Sequence, residues 1–154
     1  MGSGTLWAID IDAFGGQRLA AEFGPSSPVT FLQADLRDES AVVTAFEPIL
    51  AGTPQIDILV NNAGKDANAD ATTMTSAEWD DVMNLDLRAA WLTARAVLPT
   101  MIDMALGSIV NMASLHATLT VEGSFPYGAA KAGLAGLTRS LALDMGKRHS
   151  GQHP

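Results

Sequence analysis

The sequence contains no cysteine, which excludes disulfide-bonded scaffolds, thiolate zinc sites and thiol nucleophiles. The same absence favours a reducing compartment, so we expect a cytoplasmic protein. Basic residues are also few: 9 Lys and Arg against 17 Asp and Glu give a net charge of −8, which argues against a nucleic-acid partner. No apolar run approaches the roughly 20 residues of a membrane span, and we expect no membrane partner.

The sequence does have enough apolar residues for a core, since 47% of its 154 residues are hydrophobic. Strand-like and helix-like segments alternate, a pattern typical of a parallel sheet covered by helices. Strands are predicted over 5–9, 29–34, 56–60 and 108–113, and helices over 14–23, 39–50, 75–106 and 125–145. We therefore predict an α/β fold, with one domain over 1–146 and an irregular tail over 147–154.

Two features mark the long third helix. Thr75 and Glu78 fit a capping box, which predicts the start of the helix. Pro99 predicts a kink further along.

The only tyrosine, Tyr127, precedes Lys131 by four residues, so both side chains lie on one face of the last predicted helix. A phenol is a poor base at neutral pH, but a nearby ammonium favours its ionised form. An ordinary surface pair has the same spacing, so this pair alone is weak evidence. Ser114 follows the fourth predicted strand, at the sheet edge where parallel α/β proteins bind ligands.

The segments Asn61-Asn62-Ala63-Gly64 and Tyr127-Gly128-Ala129-Ala130-Lys131, with Asn84 and Ser114 between them, resemble the short-chain dehydrogenase/reductase family in order and spacing. The resemblance covers about residues 6–146. It implies a Rossmann-like, doubly wound parallel sheet and an NAD(P)-dependent oxidoreductase. Such an enzyme transfers hydride between the nicotinamide and a secondary alcohol or ketone, and commonly forms homo-oligomers.

The resemblance also implies a role for each matched catalytic residue. Tyr127 is the proton donor or acceptor, and Ser114 binds the substrate oxygen. Lys131 holds the nicotinamide ribose and favours the ionised tyrosine, and Asn84 anchors a water molecule of a proton relay. Tyr127 and Lys131 count among the cofactor-binding residues as well, together with the loop residues Asn62, Ala63 and Gly64.

Acidic residues at strand ends complete the predicted cofactor site. Asp10 resembles the carboxylate that accepts hydrogen bonds from the adenosine ribose hydroxyls and repels the extra phosphate of NADP, which favours NAD. Asp12 could play the same part. Asp35, through its side chain, and Leu36, through its backbone, resemble the adenine contacts, although Asp35 could also be a helix N-terminal acid.

No metal site is predicted. His149 and His153 are four residues apart, but no nearby carboxylate completes a set of ligands.

The resemblance is incomplete at both ends. The family's first strand, glycine-rich turn and first helix are missing, as are the strands that follow Gly146. Without the central first strand, its neighbours stand about 9.6 Å apart, so either they close up or the sheet is damaged. Because the glycine-rich turn binds the pyrophosphate, we expect the 154-residue chain to bind NAD poorly and to turn over little alcohol.

The end of the chain has two interpretations. One choice of codons for residues 147–153, read one base later, encodes Ser-Gly-Ile-Arg-Val-Asn, which resembles the family's next strand. A single-base frameshift and a genuine short tail are both compatible with this, and the nucleotide sequence decides between them.

Two other classes of protein stay open. A non-catalytic remnant or interaction module would keep the helices but bind no cofactor. A flavodoxin-like binding domain would share the α/β rhythm, but it would not need Tyr127 and Lys131 at this spacing.

Overall fold

The computed structural model describes residues 4–23, 28–53 and 55–149, in which parallel strands alternate with helices. The chain divides into two compact units, Met1–Thr53 and Pro54–Pro154, and each is described by itself. The boundary between them falls within the region that the sequence predicts as one domain. Each unit contains one two-stranded parallel sheet, so the predicted α/β class with parallel strands is confirmed.

The first unit consists of two strand–helix repeats. Its elements are β1 (Leu6–Asp10), α1 (Ala13–Phe23), β2 (Val29–Gln33) and α2 (Glu39–Gly52). The two strands pair in parallel, from Leu6 opposite Val29 to Asp10 opposite Gln33. Gly16 in α1 packs so closely on the ring of Phe31 that no larger residue fits there, which holds the helix against the sheet.

Acidic residues start both helices of the first unit. Asp12 Oδ1 accepts hydrogen bonds from the N–H groups of Phe14 and Gly15, and Asp38 accepts one from Ser40 N–H. These bonds pair N–H groups that have no partner within the helix. The N-terminal acid of α2 is therefore Asp38 and not Asp35.

The second unit carries the remaining elements. They are β3 (Ile58–Asn61), α3 (Ser76–Met83), a π-helical segment (Asn84–Arg88), α4 (Ala89–Asp103), β4 (Ser108–Asn111), a 3₁₀ turn (Leu115–Ala117) and α5 (Tyr127–His149). β3 and β4 pair in parallel, from Ile58 opposite Ser108 to Asn61 opposite Asn111. The largest fully buried aliphatic side chains of this unit are Leu92 and Val97 of α4, which therefore lies at its centre.

The long predicted third helix differs from the observed one at its middle. The capping box of Thr75 and Glu78 is present at the start of α3, as predicted. The π-helical segment separates α3 from α4, whereas α4 continues through Pro99 and ends at Asp103. The interruption therefore falls at Asn84–Arg88, which begins fifteen residues before the predicted kink at Pro99.

Two further differences concern the ends of elements. β3 begins at Ile58, two residues later than predicted. α5 runs to His149, so residues 147–149 are helical and not part of an irregular tail. Residues 150–154, including His153, lie outside the described residues, as does the side chain of His149. Of the helices that the structure describes, none combines the length and apolar character needed to cross a bilayer.

Candidate active site

The candidate site begins at the ends of β3 and β4, where two asparagines stand opposite each other. Asn61 Nδ2 donates a hydrogen bond to Asn111 Oδ1 at 2.8 Å. Thr93 of α4 donates to Asn61 Oδ1 at 2.6 Å, and Asn111 Nδ2 donates to Thr138 Oγ1 of α5 at 2.9 Å. This chain of bonds ties both strand ends to the flanking helices, so the loops that follow the strands start from fixed positions.

Lys131 is buried next to an acidic partner. Its Nζ lies 3.2 Å from Asp86 Oδ1, and the two side chains are 5% and 0% exposed. Nζ also donates a hydrogen bond to the carbonyl oxygen of Met112 at 3.1 Å. A buried ammonium needs such partners, because removing a charge from water is costly unless it is paired.

The loop after β3 packs directly on this ion pair. Lys65 N–H donates to both Asp86 oxygens, at 3.2 and 3.3 Å, and the Lys65 ammonium pairs with Asp81. A Cβ atom at Gly64 would lie 2.6 Å from Asp86 Oδ1 and 3.1 Å from Lys131 Nζ. Position 64 therefore requires glycine, because Asp86 and Lys131 approach it so closely. Asn62 and Ala63, which precede it in the loop, are exposed.

Tyr127 lies beside the charged end of Lys131, at the start of α5. The ammonium is 5.5 Å from the centroid of the phenol ring. On another side the ring of His116 stands edge-on to Tyr127, with 5.7 Å between the centroids. The predicted sharing of one helix face by Tyr127 and Lys131 is thus present in the structure.

Ser114 and Tyr127 both contact His116, which lies in the 3₁₀ turn after Ser114. Ser114 Oγ accepts a hydrogen bond from His116 N–H at 3.2 Å and so caps the turn. The turn packs on the first residues of α5, since a Cβ at Gly128 would lie 3.3 Å from the His116 carbonyl oxygen. Ser114, His116 and Tyr127 therefore form one local cluster.

Asn84 lies at the junction of α3 and the π-helical segment. It is the first residue of the π-helical segment, and its carbonyl oxygen accepts a hydrogen bond from Ala89 N–H, five residues later. Within the described residues, the member of this segment that pairs with Lys131 is Asp86. Any role of Asn84 in a proton relay stays a prediction.

The predicted adenosine-side acids lie in the first unit. Asp10 ends β1, is exposed, and accepts a hydrogen bond from Asp12 N–H at 2.9 Å. Asp12 uses its own carboxylate to cap α1. Of the two candidates for a ribose ligand, Asp10 is therefore the one whose carboxylate is not committed to a helix terminus.

Asp35 follows β2 and is engaged with Arg37. The guanidinium and the backbone N–H of Arg37 both donate to the Asp35 carboxylate, the closest contact being 2.7 Å. The Arg37 side chain, followed by its backbone N–H, holds the pKa of Asp35 below its ordinary value. Leu36 lies in the turn between the two residues, and the adenine contacts predicted for Asp35 and Leu36 stay predictions.

Sequence reasoning missed Asp86, Lys65 and the asparagine pair at the strand ends. The signal for Asp86 was a lone acidic residue between Leu85 and Leu87 in an otherwise amphipathic helix. Its partner Lys131 lies 45 residues further along, so no local spacing links them. Among the described residues there is no cluster of three or more His, Cys, Asp or Glu side chains that could hold a metal ion.

The sequence model of the short chain dehydrogenase family matches residues 3–149. The chain therefore belongs to the short-chain dehydrogenase/reductase family.

Individual relatives agree with this membership. The D-threitol dehydrogenase of Mycolicibacterium smegmatis is 34% identical over 142 residues, which are 92% of this chain and 55% of that protein. The D-xylose 1-dehydrogenase of Caulobacter vibrioides is 34% identical over 139 residues, 90% of this chain and 54% of that protein. The chain thus spans about half the length of these curated relatives.

A solved structure gives the same result. The crystal structure of a metagenomic short-chain oxidoreductase in complex with NADP superposes with a TM-score of 0.85 at 31% identity. The match covers 94% of this chain and 65% of that one. The Rossmann-like fold class predicted from the sequence, with a partial sheet, is confirmed.

Proposed function

We propose that this chain is part of an NAD-dependent oxidoreductase that interconverts a secondary alcohol and a ketone. The observation that carries the proposal is the position of the Lys131 ammonium, buried and 5.5 Å from the ring of the only tyrosine. A phenol beside an ammonium suits general acid–base catalysis, because the ammonium stabilises the phenolate. Polyol and sugar relatives support a small hydroxylated substrate.

The residues around Lys131 are compatible with a nicotinamide dinucleotide. An ammonium has three N–H groups, and the described contacts of Lys131 to protein oxygens are those with Asp86 and Met112. One N–H therefore remains for a ribose hydroxyl. When bound, the cofactor supplies the hydride acceptor or donor, which no amino-acid side chain provides.

The chain's own residues handle the proton. In alcohol oxidation Tyr127 accepts the hydroxyl proton of the substrate, and in ketone reduction it returns a proton to the oxygen. Ser114 orients that oxygen by a hydrogen bond, which its place in the cluster with His116 and Tyr127 supports. Lys131 stabilises the phenolate form of Tyr127 while the proton is away.

The preference for NAD over NADP is the finer part of the proposal. Asp10 is exposed at the end of β1, and a carboxylate there accepts hydrogen bonds from ribose hydroxyls but repels a phosphate. One solved relative is in complex with NADP, so the proposed preference of this chain for NAD rests on Asp10. We also propose that the complete protein is cytoplasmic, because this chain contains no cysteine. We propose further that it forms a homo-oligomer, as members of this family commonly do.

Cofactor preference tests the proposal in the chain extended at both ends with the matching segments of the D-threitol dehydrogenase. Formation of NADH or NADPH is followed with threitol, xylose and simple secondary alcohols. We expect turnover with NAD to exceed that with NADP by about 100-fold, the scale of 2 to 3 kcal/mol of discrimination at the ribose.

Asp10→Asn should reduce this preference, because it removes the charge that repels the 2′-phosphate. Asp12→Asn is the matched control: it changes the nearby acid that caps α1, and it should leave the preference within about twofold. An extended chain that folds but oxidises none of these alcohols would favour the alternative of a non-catalytic module.

A further inference from the structure

His116 contacts both residues to which the proposed function assigns the reacting oxygen, Ser114 and Tyr127. Its backbone N–H donates a hydrogen bond to Ser114 Oγ at 3.2 Å, and its ring stands edge-on to the phenol ring, with 5.7 Å between the centroids. The residue is only half-buried, so a small molecule has access to it. A substrate whose oxygen is held by Ser114 and Tyr127 therefore brings its neighbouring carbon close to the imidazole.

The imidazole of His116 has a hydrogen-bonding nitrogen to spare. Its Nδ1 lies 3.5 Å from Thr120 Oγ1, whereas Nε2 has no hydrogen-bond partner within the part of the chain that the structure describes. Thr120 in turn packs on the start of α5, since a Cβ at Gly128 would lie 3.3 Å from its Oγ1. The ring therefore has a polar neighbour at Nδ1, while Nε2 is available to a ligand.

We propose that His116 is a specificity-determining residue, which binds a second hydroxyl on the carbon next to the reacting one. The preferred substrate class is then a vicinal diol, such as a small polyol or a sugar, and not a simple secondary alcohol. This inference rests on the proposed oxidoreductase function, and it adds the residue that selects among alcohols.

The surroundings of the ring suit an uncharged hydroxyl better than an anionic group. The described contacts of the His116 side chain are with Thr120 and Tyr127, neither of which is cationic. The Lys131 ammonium, on another side of Tyr127, is already paired with the buried Asp86. A hydroxyl needs no counter-ion, and because it both donates and accepts, it can bond to Nε2 in either tautomer of a neutral imidazole.

Two substrates that differ by one hydroxyl test the proposal, 2,3-butanediol and 2-butanol. They share a carbon skeleton, so the ratio of kcat/KM for the diol to kcat/KM for 2-butanol measures what the second hydroxyl contributes. The ratio is measured in the extended chain of the cofactor test, with the cofactor that it uses better. We expect a ratio of about ten or more, the scale of one hydrogen bond, and a ratio near one would overturn the proposal.

His116→Phe is the main variant, because phenylalanine keeps a ring against Tyr127 but has no hydrogen-bonding atom. We expect it to lower the ratio by about tenfold. His116→Leu should do the same, and it covers the case in which the larger ring is not accommodated. His116→Gln, which keeps a donor and an acceptor, should lower the ratio by only about threefold. A folded His116→Phe or His116→Leu variant with the ratio of the wild type would show that the imidazole does not bind the second hydroxyl.

The ratio separates substrate recognition from a merely structural role. If His116 only supported the turn, its loss would lower kcat/KM for both alcohols together and leave the ratio unchanged, which would contradict the proposal. Thr118→Ala is the matched control in the same loop, since the Thr118 hydroxyl is bonded to the Leu115 carbonyl oxygen. It should leave the ratio within about twofold of the wild type. Far-ultraviolet circular dichroism checks that each variant is folded.

The proposed function and the role of His116 fail in different ways. If the folded extended chain oxidises neither 2-butanol nor 2,3-butanediol with either cofactor, the proposed function fails, and the role of His116 fails with it. If it oxidises both alcohols and the ratio does not respond to His116→Phe, the proposed function stands and the role of His116 is wrong.

Discussion

Gly64 shows how one residue can support the candidate site without taking part in its chemistry. A Cβ atom at this position would lie 2.6 Å from Asp86 Oδ1 and 3.1 Å from Lys131 Nζ, so the loop backbone lies directly against the buried pair. A side chain there must displace either the loop or the pair. The demand for glycine therefore comes from packing against charged atoms and not from an unusual backbone conformation.

Gly64→Ala should lower the free energy of unfolding by about 1 to 3 kcal/mol, the usual cost of forcing extra atoms into a packed site. Urea denaturation followed by tryptophan fluorescence measures this. Gly146→Ala is the matched control in the same unit, because a Cβ there meets nothing within 4 Å and alanine is the better helix former. Equal stability of Gly64→Ala and the wild type would show that the loop yields without cost.

Of the contacts between individual residues, the sequence predicted only those between residues that are close along the chain. The contact of Tyr127 with Lys131 follows from a four-residue spacing on one helix. The pairing of Asp86 with Lys131 joins two elements far apart in sequence, and no pattern within either segment shows it. The hydrogen bond between Asn61 and Asn111 could not be predicted either, because it joins residues far apart in sequence and depends on the pairing of two strands.

Among the helices and strands, α3 is the one whose first turn the sequence predicts most clearly. Thr75 Oγ1 accepts a hydrogen bond from Glu78 N–H, and the Glu78 carboxylate accepts hydrogen bonds from the backbone N–H and the hydroxyl of Thr75. A four-residue motif contains both partners, so local spacing is enough to predict it. The π-helical segment that follows lacks such a motif, and its buried Asp86 pairs with Lys131 of α5, which is far away in sequence.

The capping box makes α3 sensitive to acid. Hydrogen bonds from Thr75, first from its backbone and then from its hydroxyl, hold the pKa of Glu78 below its ordinary value. A carboxyl whose pKa is lowered on folding stabilises the folded state above its unfolded pKa, and this contribution is lost as the pH falls.

We therefore expect the wild type to be more stable than Glu78→Gln near neutral pH and to lose that advantage below about pH 4.5. Urea denaturation of both chains across this pH range measures the difference. Asp80→Asn, which changes an exposed acid of α3 outside the capping box, is the control for the loss of one charge. A difference between wild type and Glu78→Gln that does not change with pH would contradict the assignment.

For the whole molecule, the alternation of strands and helices was enough to predict an α/β fold with parallel strands. The division into two compact units, each with its own two-stranded sheet, was not predicted. Alternation gives the order of elements but not which strands pair, since pairing depends on every strand that is present. From the sequence we expected that, without the family's first strand, its two neighbouring strands would either close up or leave a damaged sheet. The sequence did not decide between these two outcomes.

The central claim is that Tyr127 is the acid–base residue of a short-chain dehydrogenase/reductase. It is tested most directly by comparing alcohol oxidation by the extended chain and its Tyr127→Phe variant, with NADH affinity measured in parallel by fluorescence titration. We expect kcat to fall by about 100- to 10,000-fold while the NADH dissociation constant changes by less than about threefold, because only the proton-transferring hydroxyl is lost. A Tyr127→Phe variant that folds and keeps full activity would contradict the claim.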